Sequence, residues 1–518
     1  MIKKLLALLL VLSTLMLSGC VTSLDGEPDG TRPASLEGTK LLPDFPPRSA
    51  VSAEFNFMVS QVENAQDIDA QRTAYQNLQR AAFIYIMGPY SVASFISSDG
   101  GSIVMYQEDM MNLLSDYLSN YEQSAWSAIG ASEWGAQLQA EFAGGAVTAD
   151  KVRNAYPVST ADGQEVTQAV YSTREALYSA LDEGADGDTL AELLNDALAV
   201  REDIASQMGY DGYLSYCFLK RDSVPYTKDD VLTLARLVRD QLCPVLASLE
   251  LNESLPALSA EAWTQVLPEL ISRFPDHSED LLYCLTNDLM TVLEHAEGQG
   301  PCFFSFPLYQ YDASIGRARI ANEYGDSLLV TGLLGSMLRD MAVPEDQWAL
   351  SPAQLSGEVQ VSAFQNLCEL ELDAVYGEES EAATQEYRRL LLEELCRSAM
   401  EYELLYRIYE QENVTDAFVT ELAQELSQAY GLPLSAEDVY RLDQLLLGTV
   451  DCAQSLLGGL AGAQIGLLAQ TDRDQAEALF EVMLSVYNYG SPVNQAVQAG
   501  MANPYSSDSI AALAASFA

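Results

Sequence analysis

The chain carries two histidines, His277 and His295, among 518 residues. A zinc held by three imidazoles is therefore excluded, and so is a pair of histidines three or four residues apart on one helix face. Eight cysteines are present: Cys20, Cys217, Cys243, Cys284, Cys302, Cys368, Cys396 and Cys452. They form no C-x-x-C, and their spacing does not read as a disulfide framework or a thiolate zinc site. Most read as small apolar residues inside helices. Cys302 follows His295 closely enough for a thiol–imidazole nucleophile, yet nothing flanking the pair has a thiol-protease pattern. His277 lies beside turn residues in Pro275-Asp276-His277-Ser278 and is expected in solvent. His295 stands just before Gly298 and Gly300, where a helix is expected to end, and its expected role is to stabilise that helix C-terminus. The 75 acidic residues leave a paired-carboxylate glycosidase open, because sequence hides their separation, but no β/α alternation supplies the usual scaffold.

Only 26 Lys and Arg face those carboxylates, giving a net charge of −49. So anionic a surface repels phosphate backbones, and nucleic acid is not an expected partner. Hydrophobic residues make up 48 % of the chain, ample for a packed interior, so general disorder is excluded. The length predicts two lobes or one large helical domain.

Residues 1–19 have the layout of an export signal: Lys3-Lys4, a leucine-rich run from Leu5 to Leu17, then Ser18-Gly19. Leu17-Ser18-Gly19-Cys20 resembles the lipobox of bacterial lipoproteins, which implies a mature chain starting at a diacylated Cys20. Each acyl CH₂ buried in a bilayer contributes about 0.8 kcal/mol, so two or three chains anchor a protein stably. The expected location is the outer face of a bacterial membrane, with the lipid bilayer as a partner through Cys20. Residues 20–50 hold five of the 19 prolines and read as an extended tether.

From Ser52 onward apolar residues recur at three- and four-residue spacing, as in Ala70 to Ile86 and Tyr387 to Gln411, which predicts helices. Turns are expected at Gly88-Pro89, Ser97 to Gly101 and Gly184 to Gly187. Thr227-Lys228-Asp229-Asp230 reads as a capping box. A short β element is expected near 302–311, where C-F-F-S-F-P-L-Y-Q-Y alternates aromatic residues. Gly458, Gly462 and Gly466 predict two helices in close contact rather than a membrane dimer. The apolar stretch Leu445 to Ala469 contains Asp451, Gln454 and Gln464 and reads as a buried helix rather than a membrane span.

Two stretches resemble the M3 family of zinc metallopeptidases, the oligoendopeptidase F and thimet oligopeptidase group. Arg201-Glu202-Asp203-Ile204-Ala205, Gly209-Tyr210 and Tyr213 are similar to the family's R-x-x-I-A-x-x-x-G-Y-x-x-Y segment. Tyr309-Gln310-Tyr311-Asp312, then Asn322, Gly325, Asp326 and Gly335, resemble the strand and turn that lead into its zinc helix, H-E-x-G-H. Leu484, Gly490, Ser491, Ala499-Gly500 and Pro504 are similar to its closing helices. The resemblance implies a mainly α, two-lobed, zincin-like fold enclosing a channel, with an N-terminal helical lobe over 51–190 and the peptidase-like domain over 191–518.

The same resemblance places Gly332, Leu333 and Ser336 where the family has His, Glu and His, and Val359 where it has its third ligand. Glu358 is adjacent, but one residue along a helix turns a side chain by about 100°. The family's His- and Tyr-rich substrate stretch falls on Gln444 to Gln454, which has neither. No cofactor is therefore expected, zinc included, and no catalytic residue is assigned. The expected function is non-catalytic peptide binding or scaffolding, with basic peptides preferred. An enzyme of other chemistry on the same fold, or a residual oligopeptidase, is the alternative.

Cys20→Ser should move the protein from the membrane fraction to the soluble fraction. Retention on the membrane after cleavage at the same place would refute the anchor.

Overall fold

A computed structural model describes residues 48–87, 113, 116–142, 161–207, 210–218, 226–249, 255–295, 301–308, 313–343, 354–442, 444–445, 449–486 and 491–517. Cys20, the leader, nearly all of the tether, the turns at Gly88-Pro89 and Ser97 to Gly101, Gly209, Tyr309 to Asp312 and Gly490 lie outside the described residues.

The fold is mainly α. Helices α1 (Arg48–Glu63), α2 (Ile68–Ala82) and α3 (Gln123–Ala131) close a first apolar core around Phe55, Tyr75, Leu78 and Ile129. Helices α4 (Ala161–Glu183), α5 (Gly187–Gln207) and α6 (Lys228–Gln241) follow, and Leu177, Leu194 and Val231 join a second core with residues from Leu392 to Leu460. The capping box at the start of α6 is formed: Asp230 accepts from the Thr227 backbone N–H, and Thr227 Oγ1 accepts from Asp230 N–H. Helices α7 (Ala260–Ser272) and α8 (Pro275–Thr286) lead into the sheet.

The β element extends further than the aromatic stretch. Strands β1 (Met290–Glu294), β2 (Cys302–Leu308) and β3 (Ala313–Ile320) form one sheet in the order β1-β3-β2, parallel across β1–β3 and antiparallel across β3–β2. This corrects the reading of 290–295 as a helix end. β-branched Thr291 and Val292 pair with Arg317 and Ala318, and the His295 backbone N–H continues the ladder to the Ile320 carbonyl oxygen at 2.9 Å. β2 is an edge strand, where Pro307 leaves no interior ladder bond unmade.

Helix α9 (Asp326–Ala342) covers the sheet and α10 (Gln354–Cys368) packs on α9, around a third core of Trp263, Leu333, Phe364 and Phe480. The 30-residue α11 (Ser380–Tyr409), then α12 (Asp416–Tyr430), α13 (Asp451–Ala469), α14 (Arg473–Leu484), α15 (Pro492–Gln498) and α16 (Ser507–Ser516) complete the chain.

Among the described residues α13 alone is long and apolar enough to cross a membrane, but it is packed inside the protein. Its glycine stripe lies against α10: a Cβ on Gly458 would meet Glu358, one on Gly462 would meet Ser362, and one on Gly466 would meet Asn366. Two helix backbones can approach this closely only where side chains are absent.

Gly462→Val should therefore lower the unfolding free energy by about 1–3 kcal/mol, because its Cβ would lie 2.6 Å from the Ser362 carbonyl carbon and oxygen. Gly459→Ala is the control in denaturant titration. Its Cβ meets only the flexible tip of Leu395, at 3.0 Å, and Ala favours the helix by about 1 kcal/mol.

Candidate functional site

Helices α9 and α10 carry the positions that the resemblance assigns to zinc. The turn before α9 is closed by Asp326, whose carboxylate accepts the N–H groups of Ala321 and Glu323 at 2.9 Å each, around Asn322 at φ +61°. Gly332 faces β2. A Cβ there would lie 2.7 Å from the Phe303 ring and 3.0 Å from Gln365 Nε2, an amide that itself donates to the Leu328 carbonyl. Leu333 and Val359 are both fully buried in one apolar core. Ser336 is hydrogen-bonded to Ser305 of β2 at 2.7 Å, and Ser305 donates in turn to Asp340. Together the four residues offer one hydroxyl, already bonded, and no imidazole, carboxylate or thiolate. They do not fit the three-donor zinc site that the resemblance implies.

The remaining sequence candidates are dispersed. His277 is not in solvent: its side chain is 15 % exposed, its Nε2 lies 2.7 Å from Glu481 Oε1, and its ring stands edge-on to Phe480. Its neighbours start helix α8, and α14 supplies both partners, a tertiary contact with no local signature. His295 continues the outer strand β1 and Cys302 opens the opposite edge strand, so β3 stands between them and no thiol–imidazole pair forms.

Beside these positions, residues of α10, α11, α13 and α16 line a small cleft of about 70 Å³ that opens to solvent. Glu358 of α10 and Glu394 of α11 both line it and reach solvent there. Partial desolvation by the surrounding helices pushes Glu358 up to about 7. The Arg339 guanidinium pulls the other way, and the carboxylates of Glu394 and Asp451 add to the rise. Enclosure raises Glu394 and Glu401 as well, each opposed by Arg397. Arg339 also binds Asp340 at 2.7 Å, so a line of polar groups runs from Glu358 to Ser305 on the edge strand.

Sequence reasoning missed these carboxylates. Glu394, Arg397 and Glu401 recur at three- and four-residue spacing on α11, a pattern that reads as an ordinary solvated stripe until the helix is placed. The 100° offset of Glu358 from Val359 is real. It turns the carboxylate out of the apolar core and into the cleft.

The described residues around Gln444 and Leu445 are held from two sides. Arg201, 2 % exposed, donates to Tyr409 Oη at 3.0 Å and to the Leu445 carbonyl, and lies over the Tyr213 ring. Gln444 donates to Glu401 at 2.8 Å and accepts from Cys452 N–H at 3.1 Å. Arg201 thus holds Leu445, while Gln444 ties Glu401 to the start of α13 at Cys452.

A carboxyl raised from near 4.5 to about 7 binds more protons folded than unfolded between those values, so its contribution to stability falls as pH rises through that window. Glu358→Gln should flatten the fall in melting temperature between pH 4.5 and 7. An unchanged pH profile in the variant would remove Glu358 from the account.

No protein-family model and no curated protein matches the chain. Solved structures do. One described as an oligoendopeptidase F superposes with a TM-score of 0.72 at 14 % identity, over 93 % of this chain and 98 % of that one. PZ peptidase A with an inhibitor gives 0.71 at 12 % identity, over 92 % and 97 %. An oligoendopeptidase F from Bacillus anthracis gives 0.68 at 13 % identity, over 94 % and 98 %. At such identities the likeness concerns the fold, and the chain has the mainly helical fold of the M3, oligoendopeptidase F-like peptidases.

Proposed function

We propose that this chain is an exported lipoprotein, anchored through Cys20, that uses an oligoendopeptidase-like fold to bind peptides without hydrolysing them. One observation carries the reading. Gly332, Leu333, Ser336 and Val359 are packed against Phe303, the apolar core and Ser305 instead of presenting ligands, while the neighbouring cleft remains open. The neighbour described as PZ peptidase A carries an inhibitor, so a fold of this kind accommodates a ligand. Strand β2 stands at the edge of the sheet among the described residues, and adding an extended chain to such an edge is a recurrent mode of peptide capture.

Charge gives the direction of selectivity. Glu358, Glu369 and Glu394 line the cleft with Arg388, which is paired with Glu369, and a predominantly acidic cleft in a protein with net charge −49 focuses its field on cations. A second reading rests on Glu358 itself. A carboxyl near neutrality beside the Glu394 carboxylate can exchange protons at working pH, which favours an enzyme of unrelated chemistry on the same fold. Turnover of any substrate that is lost in Glu358→Gln would favour that reading.

Lys/Arg-rich and Asp/Glu-rich peptides of equal length should be titrated at about 0.05 and 0.5 M salt, since screening acts over about 10 Å at 0.1 M. The basic set should bind more tightly at low salt, lose affinity at high salt, and bind less well to Glu358→Gln/Glu394→Gln. Equal, weak binding by both sets would assign the charge to solubility and end the peptide-binding claim.

A further inference from the structure

The cleft beside α10 is rich in hydrogen-bond acceptors and poor in donors. Glu358 and Asn366 of α10 and Glu394 of α11 line it. Asn366 is 6 % exposed; its Nδ2 donates to the Ser362 carbonyl at 2.9 Å, and its Oδ1 faces Gly466 of α13, which also lines the cleft. Among the described residues that Oδ1 receives no hydrogen bond, and the carboxylates of Glu358 and Glu394 have neither a hydrogen bond nor an ion pair. Arg388 is the one cation among the described residues of the wall, and its Nε already donates to Glu369 at 2.5 Å. Pairing Glu369 with Arg388 leaves the charges of Glu358 and Glu394 unneutralised.

We propose that this cleft is a pocket for one primary alkylammonium group, the end of a single lysine side chain. An ammonium brings three N–H donors to acceptors that lack them. The stem has a surface to lie on, because Leu392 and Leu395 of α11, Leu513 of α16 and Phe517 just after it form the apolar part of the wall. Size agrees. At about 10–15 Å³ for each water-sized group, about 70 Å³ holds roughly five, the heavy-atom count of a lysine side chain. A peptide backbone does not fit in that space. The pocket's chemistry stands by itself; that its amine comes from a peptide rests on the peptide-binding reading, to which it adds the anchoring residue.

Charge and hydrogen bonding make separate contributions. The two carboxylates attract any cation, over a range set by salt. The Asn366 oxygen is neutral and acts only in contact, so it favours a cation that carries N–H donors over one of equal charge that does not. A metal ion is the poorer match: among the described residues no three His, Cys, Asp or Glu side chains are grouped to hold one, and the leucines of the wall give it no ligand.

The test uses the full chain, titrated in a calorimeter with blocked Gly-Gly-X-Gly-Gly peptides in which X is lysine, trimethyllysine or norleucine, and with 1,5-diaminopentane. The lysine peptide should bind at one site per chain. Norleucine, which keeps the stem, and trimethyllysine, which keeps the charge without N–H donors, should each bind about tenfold more weakly. Asn366→Ala should weaken the lysine peptide toward trimethyllysine and leave trimethyllysine itself unchanged. The peptide series is measured on the unsubstituted chain, so it stands even if the variant misfolds. Tighter binding by 1,5-diaminopentane than by the lysine peptide would uphold the pocket and make a free amine its ligand. Equal binding by lysine and trimethyllysine would overturn the pocket and leave charge-steered peptide binding in place. Binding of Lys/Arg-rich peptides with none by the single-lysine peptide or the diamine would do the same.

Discussion

The crossing of α10 and α13 is the contact on which the site depends. Three glycines at four-residue spacing let the α13 backbone lie directly on Glu358, Ser362 and Asn366 of α10. No larger residue fits there, so the crossing distance is fixed by backbone rather than by adaptable side chains. With α10 so held, Val359 is turned into the core shared with Leu333, and Glu358 is turned into the cleft that α11 and α16 complete. The closeness of two helices thus decides which of two adjacent residues faces the cleft.

Around this crossing, buried charged groups position the helices. Asp326 still closes the turn that aims α9, and Arg201 still clamps the stretch after residue 444 through Tyr409 and Leu445. Both are buried charged groups whose bonds are all to protein, and removing a partner from such a group is costly. Gly332 and Ser336 have instead been absorbed into the packing between α9 and β2. Burial and hydrogen bonding maintain such a scaffold independently of the chemistry that a site on it performs.

The helices, the capping box at Thr227, the strand at Cys302 and the glycine stripe were legible in the sequence, because each rests on local spacing. Strands β1 and β3 were not. β3 is buried on both faces and so lacks alternation, while Arg317 and Arg319 disguise it as surface; β1 is short and follows a helix without a clear break. The fold class followed from motifs in order, since Arg201 and Asp326 do structural work that spacing preserves. The cleft carboxylates were hidden for the opposite reason. They come from helices distant in sequence, and neither helix alone marks its residue as anything but a surface acid.

The central claim is that the fold has kept its cleft and lost its metal site. Its most direct test is the zinc content of the full-length protein, expressed with zinc in excess, dialysed, and followed by melting with and without a chelator. The account predicts far less than one zinc per chain and a melting temperature that a chelator leaves unchanged, because no metal-binding free energy is coupled to folding. One zinc per chain, removed by chelator together with peptidase activity, would contradict it.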